Sequence, residues 1–219
     1  TNVDLSNDAF PFMTWQDGDV AGIPSRIFRI SFSGETGFEV QCPASYAMAL
    51  WRALMTAGEK FNIMPYGTEA MHVLRAEKGF VIVGQDTDGT TTPHDLGMSW
   101  IVSKKKDDFL GKRGLARPDT LREDRKQLVG LITDDPNEVI PEGAHISPEP
   151  HAPPPVPMEG WVSSSYYSPN CGRSIALALI QRGHERMGES VAIPLEDKVV
   201  RAKIVSSVFF DEEGERLRG

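Results

Sequence analysis

Apolar and polar residues alternate in two adjacent stretches of the N-terminal third of the chain. Residues 28–33 follow the period-2 pattern of a strand with one buried face, with Arg29 on the polar side. Two glycines within residues 34–37 supply a turn, and residues 38–41 resume extended structure. The pattern predicts a β-hairpin that carries Glu39 on the face opposite its apolar side chains, near Arg29.

Helical spacing follows in two segments. Apolar residues recur three and four positions apart over residues 43–58, which place Trp51 in the core, and again after Gly67. Before the hairpin, the apolar residues within 10–15 indicate one strand of a sheet whose other strands lie outside this chain. An apolar surface of this kind is expected to promote self-association.

The pattern of predicted secondary structure changes after residues 117–126, a charged segment that is typical of a linker. Beyond it the sequence predicts short strands separated by Pro/Gly turns, at residues 127–133, 161–165, 174–180, 190–194 and 199–208. We therefore expect an α+β domain over residues 1–117 and a small β-barrel or sandwich over residues 118–219.

Charge and composition narrow the class of protein. The formal net charge of −8 argues against a nucleic-acid partner, since phosphate binding needs a basic surface. No apolar run approaches the roughly 20 residues that span a bilayer, so no membrane association is expected. The N-terminal residues resemble no signal peptide, and Cys42 and Cys171 have no metal-ligand spacing. Free thiols in a reducing compartment indicate a cytoplasmic protein.

Glu39 is the candidate binding residue. A carboxylate on a rigid strand beside aromatic rings suits a flat heterocycle with two adjacent N–H donors, such as the guanidine-like edge of a pterin. The alternative interpretation is a surface glutamate that pairs with Arg29. Both interpretations are compatible with the pattern.

No catalytic or metal site is predicted. The chain has neither a phosphate-binding lysine loop nor a nucleophile elbow nor a zinc-protease helix. Asp86 and Asp88 occupy the first and third positions of a calcium-loop pattern, but that pattern fails because Gly89 stands at the fourth position and Gly97 at the twelfth. Taken by itself, the chain is typical of a binding module.

Three stretches resemble the aminomethyltransferase-like, folate-binding family, which includes the glycine cleavage T-protein. RISFSGETGFE at residues 29–39 resembles the signature hairpin of that family. LRAEKG at residues 74–79, with GQDTD at 84–88, resembles its next block, and SSSYYSP at 163–169 resembles its C-terminal domain. The resemblance covers most of the chain after residue 24. It implies part of a ferredoxin-like, folate-binding α+β domain followed by a C-terminal barrel.

The resemblance assigns tetrahydrofolate to this region, with Glu39 at the pterin edge and Phe32 as a stacking ring. In an uninterrupted pleat Phe32 faces away from Glu39, so both can meet one ligand only if the turn twists the ribbon. Two departures bear on the pocket. Met71 stands where the transferases carry a folate-binding arginine, and no tyrosine follows Tyr167.

Residues 10–14 and 66–75 resemble a sarcosine-oxidising subgroup of the family. This resemblance implies oxidation of sarcosine to glycine with transfer of the one-carbon unit to tetrahydrofolate, other subunits as partners, and FAD, FMN and NAD in the intact complex. It also implies that the chain is a C-terminal fragment that is inactive alone, since the catalytic aspartate of the family lies upstream. The alternatives are a glycine-cleavage aminomethyltransferase and a non-catalytic scaffold with a decayed folate pocket.

Overall fold

The computed structural model describes the whole chain, Thr1–Gly219, which divides into two compact units. The first unit comprises Thr1–Arg75 with Asp211–Gly219, and the second comprises Ala76–Phe210. The boundary predicted between residues 117 and 118 lies within the second unit and stays a prediction. No helix is both long enough and apolar enough to cross a membrane.

The first unit combines a small antiparallel sheet with helices. Its elements are β1 (Thr14–Val20), β2 (Ile23–Arg29), β3 (Glu39–Gln41), α1 (Ala47–Gly58), α2 (Thr68–Glu77, which runs two residues into the second unit) and α3 (Glu215–Arg218). The strand order is β1-β2-β3, and all pairs are antiparallel. The two predicted helices are confirmed within a few residues.

The first strand of the predicted hairpin differs from the prediction both in which side chains it buries and in where it ends. β2 buries Ile23, Ser25, Ile27 and Arg29 on one face. Arg29 therefore lies on the buried face, whereas the sequence pattern placed it on the polar face. The strand ends at Arg29, and residues 30–38 form an irregular connection to β3. The pattern misled because residues 30–33 continue the alternation within that connection, where no strand partner exists for them.

The N-terminal strand has its partner within the chain, which corrects the expectation that its sheet lay elsewhere. β1 and β2 pair along their whole length, from Thr14 opposite Arg29 to Val20 opposite Ile23. Phe10 is fully buried in a small core with residues of both strands. The core has five buried side chains: Phe10, Val20, Ile23, Ile27 and Leu50.

The second unit is dominated by a six-stranded antiparallel sheet. Its strands are β4 (Lys126–Thr133), β5 (His145–Ile146), β6 (Gly160–Ser168), β7 (Arg173–Gln181), β8 (Ser190–Pro194) and β9 (Val199–Val205). The order is β5-β6-β7-β4-β9-β8. A bridge between Ser147 and Ala192 joins the two ends of the sheet, so the barrel is nearly closed. The predicted α+β class with a C-terminal barrel is confirmed.

The burial of side chains in the barrel explains why its strands could be predicted from the sequence. β7 buries seven consecutive residues, Ser174–Ile180, because one face packs inside the barrel and the other against the rest of the unit. Thirteen buried side chains line the main core. Gly130 is required where β4 passes β9, since an added Cβ would lie 2.2 Å from the Ser206 carbonyl oxygen.

Several single side chains differ from their predicted burial. Trp51 was assigned to the core but is half exposed on α1, where Leu50 is the buried residue. Trp100 and Ile101 are large apolar residues as well, and both lie on the surface. Cys42 and Cys171 are free, as predicted, and only partly buried.

Candidate functional site

Glu39 is the first residue of β3 and points to the exposed face of the sheet. It lies directly opposite Phe28 in β2, and Phe28 lies opposite Trp15 in β1. Residues directly opposite in antiparallel strands share a face. Trp15, Phe28 and Glu39 therefore form a row across the sheet, with neighbours about 5 Å apart. This row places two aromatic rings on the same side as the carboxylate.

The carboxylate of Glu39 is available for a ligand. It forms no hydrogen bond and no ion pair, and the residue is exposed. The next row of the same face, in contrast, is internally satisfied: Arg26 donates to both carboxylate oxygens of Asp17 at 2.8 and 3.0 Å, and its guanidinium carbon lies 4.1 Å from the Trp15 ring centre. A fixed, unpaired carboxylate can accept two parallel N–H donors.

Arg29 is not the partner of Glu39, so the surface ion-pair interpretation is wrong. The Arg29 side chain is 1% exposed on the opposite face of β2. Its two terminal nitrogens donate to the carbonyl oxygens of Phe10, at 2.8 Å, and of Arg218, at 2.5 Å. Its guanidinium carbon lies 5.8 Å from the Phe38 ring centre. Arg29 therefore stabilises the core of the first unit.

The connection between β2 and β3 holds Phe32, the second predicted site residue. Its ring is about one-third exposed, in a segment that is not pleated. The segment is anchored at Thr36, whose hydroxyl donates to the Arg216 carbonyl oxygen at 2.8 Å, and at Glu35, which pairs with Arg216 at 2.7 Å. Because the pleat is interrupted, the alternation rule no longer assigns Phe32 a face relative to Glu39.

Gly37 allows this connection to fold tightly. A Cβ at this position would lie 2.9 Å from the Ile30 carbonyl oxygen, which real side chains essentially never permit. Gly34 has a φ of 83°, a conformation that glycine adopts at no steric cost. The two glycines of the motif therefore shape the backbone on which Phe32 and Glu39 are carried.

Sequence patterns missed the two aromatic rings in the row of Glu39. Trp15 and Phe28 occupy strands whose register is set only by the pairing of β1 with β2. Phe28 was assigned to the buried face, and it lies instead on the partly exposed face with Glu39. Period-2 alternation from Ile23 onward would have placed Phe28 correctly.

The second unit contains a buried polar cluster that the sequence did not predict. Asp86 is fully buried, and its carboxylate accepts hydrogen bonds from Ser163 at 2.5 Å, Ser164 at 2.7 Å and the backbone N–H of Ile82 at 2.8 Å. Glu77, also buried, accepts from Ser168 at 2.6 Å. These contacts link the GQDTD and SSSYYSP stretches, which gives the two motifs a structural role.

Asp95 and Arg125 form a second buried pair in this unit. Arg125 donates to both oxygens of Asp95, at 2.8 and 2.7 Å, and their side chains are 13% and 3% exposed, respectively. Burial raises the pKa of Asp95, but hydrogen bonds from Arg125 and Thr92 outweigh it and hold the pKa below its ordinary value. His, Cys, Asp and Glu side chains form no group of three or more that could hold a metal ion.

Two family models together match most of the chain. Residues 1–106 match the GCVT N-terminal domain, and residues 126–211 match the Glycine cleavage T-protein C-terminal barrel domain. The order of an α+β unit and a barrel agrees with these assignments. The chain belongs to the glycine cleavage T-protein family.

Within that family the chain is similar to Sarcosine oxidase subunit alpha. It is 51% identical over its whole length to the protein of that name from Corynebacterium sp. (strain P-1), and 42% identical over 98% of its length to that from Rhizobium meliloti (strain 1021). It spans 23% and 22% of these two relatives.

More distant similarity extends to the aminomethyltransferases. The chain is 30% identical over 98% of its length to Aminomethyltransferase from Desulfitobacterium hafniense (strain DSM 10664 / DCB-2), of which it spans 56%. A solved structure, glycine cleavage system aminomethyltransferase T from Bartonella henselae, superposes with a TM-score of 0.78 over 94% of this chain and 54% of that one, at 24% identity. This structural similarity supports the fold.

Proposed function

We propose that the chain is the folate-binding region of a sarcosine oxidase alpha subunit. The observation that carries the proposal is 51% identity across the whole chain to a relative of that name, against 30% to an aminomethyltransferase. In the intact enzyme, sarcosine is oxidised to glycine and the one-carbon unit passes to tetrahydrofolate. The contribution of this region is to bind and orient the folate.

Glu39 is the residue proposed to hold the pterin. An exposed carboxylate without a protein partner fits a ligand edge that offers two adjacent N–H donors. The Phe32 ring, about one-third exposed in the adjoining connection, is the proposed stacking surface. The pairing of β3 with β2 fixes the backbone of Glu39, so only its side chain has to be ordered on binding.

The rest of the machinery belongs to other parts of the complex. FAD, FMN and NAD are proposed to bind outside this region and to supply the oxidation chemistry. Other subunits of the oxidase are the proposed protein partners, and the proposed compartment is the cytoplasm. This region alone, incubated with sarcosine and tetrahydrofolate, should yield no peroxide, and clear turnover without another subunit would contradict the proposal.

The substitution Glu39→Gln tests the binding site. It removes the charge and turns one acceptor into a donor that faces a donor, which costs about 2–4 kcal/mol, or about 30- to 1000-fold in affinity. Folding stability should hardly change, since Glu39 has no partner to lose. The measurement is titration of tetrahydrofolate or folinic acid into the full complex, with melting temperatures recorded separately.

Glu59→Gln is the matched control, because Glu59 is also an exposed glutamate of the first unit and lies outside the sheet. It should leave folate affinity unchanged. Unaltered affinity in Glu39→Gln would overturn the site, and equal losses of affinity and stability would indicate a structural role. Addition of aminomethylated lipoyl carrier protein and tetrahydrofolate to the full-length protein separates the oxidase from an aminomethyltransferase. Only the transferase would pass the methylene group to tetrahydrofolate and release ammonia and the dihydrolipoyl carrier.

A further inference from the structure

The loop formed by residues 99–117 in the second unit exposes large apolar side chains. Trp100 is 80% exposed, Ile101 is 52% exposed and Leu110 is fully exposed. Single exposed apolar residues are ordinary on protein surfaces, but here three lie within twelve residues, and Ile101 and Leu110 line the same surface groove. Exposed tryptophan beside aliphatic side chains is typical of the centre of a protein interface.

The same loop folds around an apolar groove. The groove has a volume of about 380 Å³, and its lining consists mainly of Pro93, Ile101, Val102, Phe109 and Leu115. This volume is enough for one or two large apolar side chains, and a short 3₁₀ helix at Lys112–Ala116 supports one side. The groove lies outside both the Glu39 site and the buried polar cluster.

The loop that forms the groove carries several unpaired cations, and one of them, Lys106, lines the groove. Lys104, Lys105, Lys106, Arg113 and Arg117 are all exposed, and none of them forms an ion pair. The loop holds six cations and two carboxylates, whereas the whole chain has a net charge of −8. The loop is thus a positively charged surface on an acidic protein.

Other arginines of the second unit are arranged differently. Arg122 pairs with Asp124 at 2.6 Å, Arg182 with Glu185 at 2.6 Å, and Arg186 with Glu159 at 2.9 Å. The cations of the 99–117 loop have carboxylates close in sequence, at Asp107 and Asp108, and do not pair with them. Their charge is therefore available to an external partner.

We propose that the 99–117 loop is a docking site for an acidic segment of a partner protein. One large apolar side chain of that segment fills the groove, and its flanking carboxylates lie against Lys104, Lys105 and Lys106. Charge complementarity selects this partner: the loop attracts carboxylates, while the acidity of the remaining surface repels the extended phosphate backbone of a nucleic acid. The aliphatic lining of the groove likewise suits a leucine or phenylalanine side chain.

The test measures fluorescence anisotropy of a labelled synthetic peptide, Glu-Asp-Glu-Leu-Phe-Glu-Asp-Glu, titrated with the 219-residue chain. Binding should weaken as the salt concentration rises, since charges attract the peptide. The triple variant Lys104→Gln/Lys105→Gln/Lys106→Gln should weaken binding about 10-fold, and Leu110→Ser should weaken it by a similar factor. All four side chains are exposed, so the melting temperature should not change.

Two controls separate the site from general charge attraction. The triple variant Arg52→Gln/Lys60→Gln/Arg201→Gln removes three exposed cations elsewhere and should retain full affinity. A peptide with serines in place of leucine and phenylalanine should bind about 10-fold more weakly, because it lacks the side chain for the groove.

Four results of the binding measurements would overturn the proposal. They are absence of peptide binding at low ionic strength, equal binding of the serine peptide, equal weakening by the control variant, and tighter binding of a DNA oligonucleotide or of anionic phosphatidylserine vesicles. Association of the chain with itself through this loop, detected by sedimentation and lost in Leu110→Ser, would also overturn it by making a second copy the occupant. None of these outcomes affects the folate assignment, which Glu39→Gln tests separately.

Discussion

The two units of the chain differ in how much of their apolar surface they bury. The barrel of the second unit encloses thirteen buried side chains in its main core, whereas the core of the first unit has five. The first unit also exposes large apolar side chains on α1 and just after it, including Trp51, Phe61 and Met64. The nearly closed barrel joins its two end strands through a bridge between Ser147 and Ala192, but the three-stranded sheet leaves two edges open.

The difference indicates that stability and association are distributed unequally. The second unit has a core typical of a self-sufficient domain, and hydrogen bonds from barrel serines to the buried carboxylates of Asp86 and Glu77 tie further segments to the barrel. The first unit has apolar surface of the kind that other protein covers.

Ile193→Ala should destabilise the barrel by about 2–5 kcal/mol, because Ile193 is fully buried in the main core and its truncation leaves a cavity. The matched substitution Leu54→Ala, on the partly exposed face of α1, should cost about 1 kcal/mol or less. Urea unfolding followed by hydrogen exchange in each unit would measure both. Equal losses would contradict the contrast between the cores.

Asp95→Asn should cost about 3 kcal/mol, because it leaves the largely buried Arg125 without its carboxylate. It should also reduce the acid sensitivity of the second unit. The folded-state pKa of Asp95 lies below its ordinary value, so its stabilisation is complete above the unfolded-state pKa, near 4, and is lost as the pH falls through the folded-state value.

Unfolding of the wild type and of Asp95→Asn at neutral pH and at successively lower pH values below 4 would test this prediction. Asp17→Asn is the control, since Asp17 and Arg26 form a pair on the exposed face of the first unit. That variant should show no measurable change at neutral pH. If Asp95→Asn lost as much stability on acidification below pH 4 as the wild type, the Asp95–Arg125 pair would not be the source of the acid sensitivity.

Arg29→Met should destabilise the first unit by about 2 kcal/mol and leave exchange in the barrel unchanged. The substitution keeps an apolar stem but removes the donors to the carbonyl oxygens of Phe10 and Arg218. Hydrogen exchange resolved by residue would localise the effect. Arg26→Met, which replaces an exposed arginine of the same strand, should have no measurable effect on stability.

Trp51→Gln with Met64→Gln should reduce self-association of the chain about 10-fold, or about 1.4 kcal/mol. Both side chains are exposed on the first unit, so the loss should come from the surface and not from folding. Sedimentation equilibrium over a range of concentrations is the measurement. A wild-type chain that stays monomeric throughout would show that this apolar surface does not associate with itself.

The sequence alone was sufficient for most strands of the barrel, for the two main helices and for the class of fold. The five barrel strands and both main helices were predicted within a few residues, because alternation and helical spacing are local properties that burial on one face imposes directly. β5 was missed because two residues are too few to show a period. The resemblance of residues 29–39 to a folate-binding hairpin likewise needed only the order of the residues.

Tertiary structure decided the faces and the partners. Alternation in residues 28–33 suggested one strand, but the pairing of β1 with β2 set the register and placed Arg29 in the core and Phe28 beside Glu39. Burial of Trp51 and Trp100 could not be inferred from their type, since the neighbour that covers a side chain is not encoded in its immediate sequence. The same reason applies to Asp86, whose serine partners lie 77 and 78 residues away.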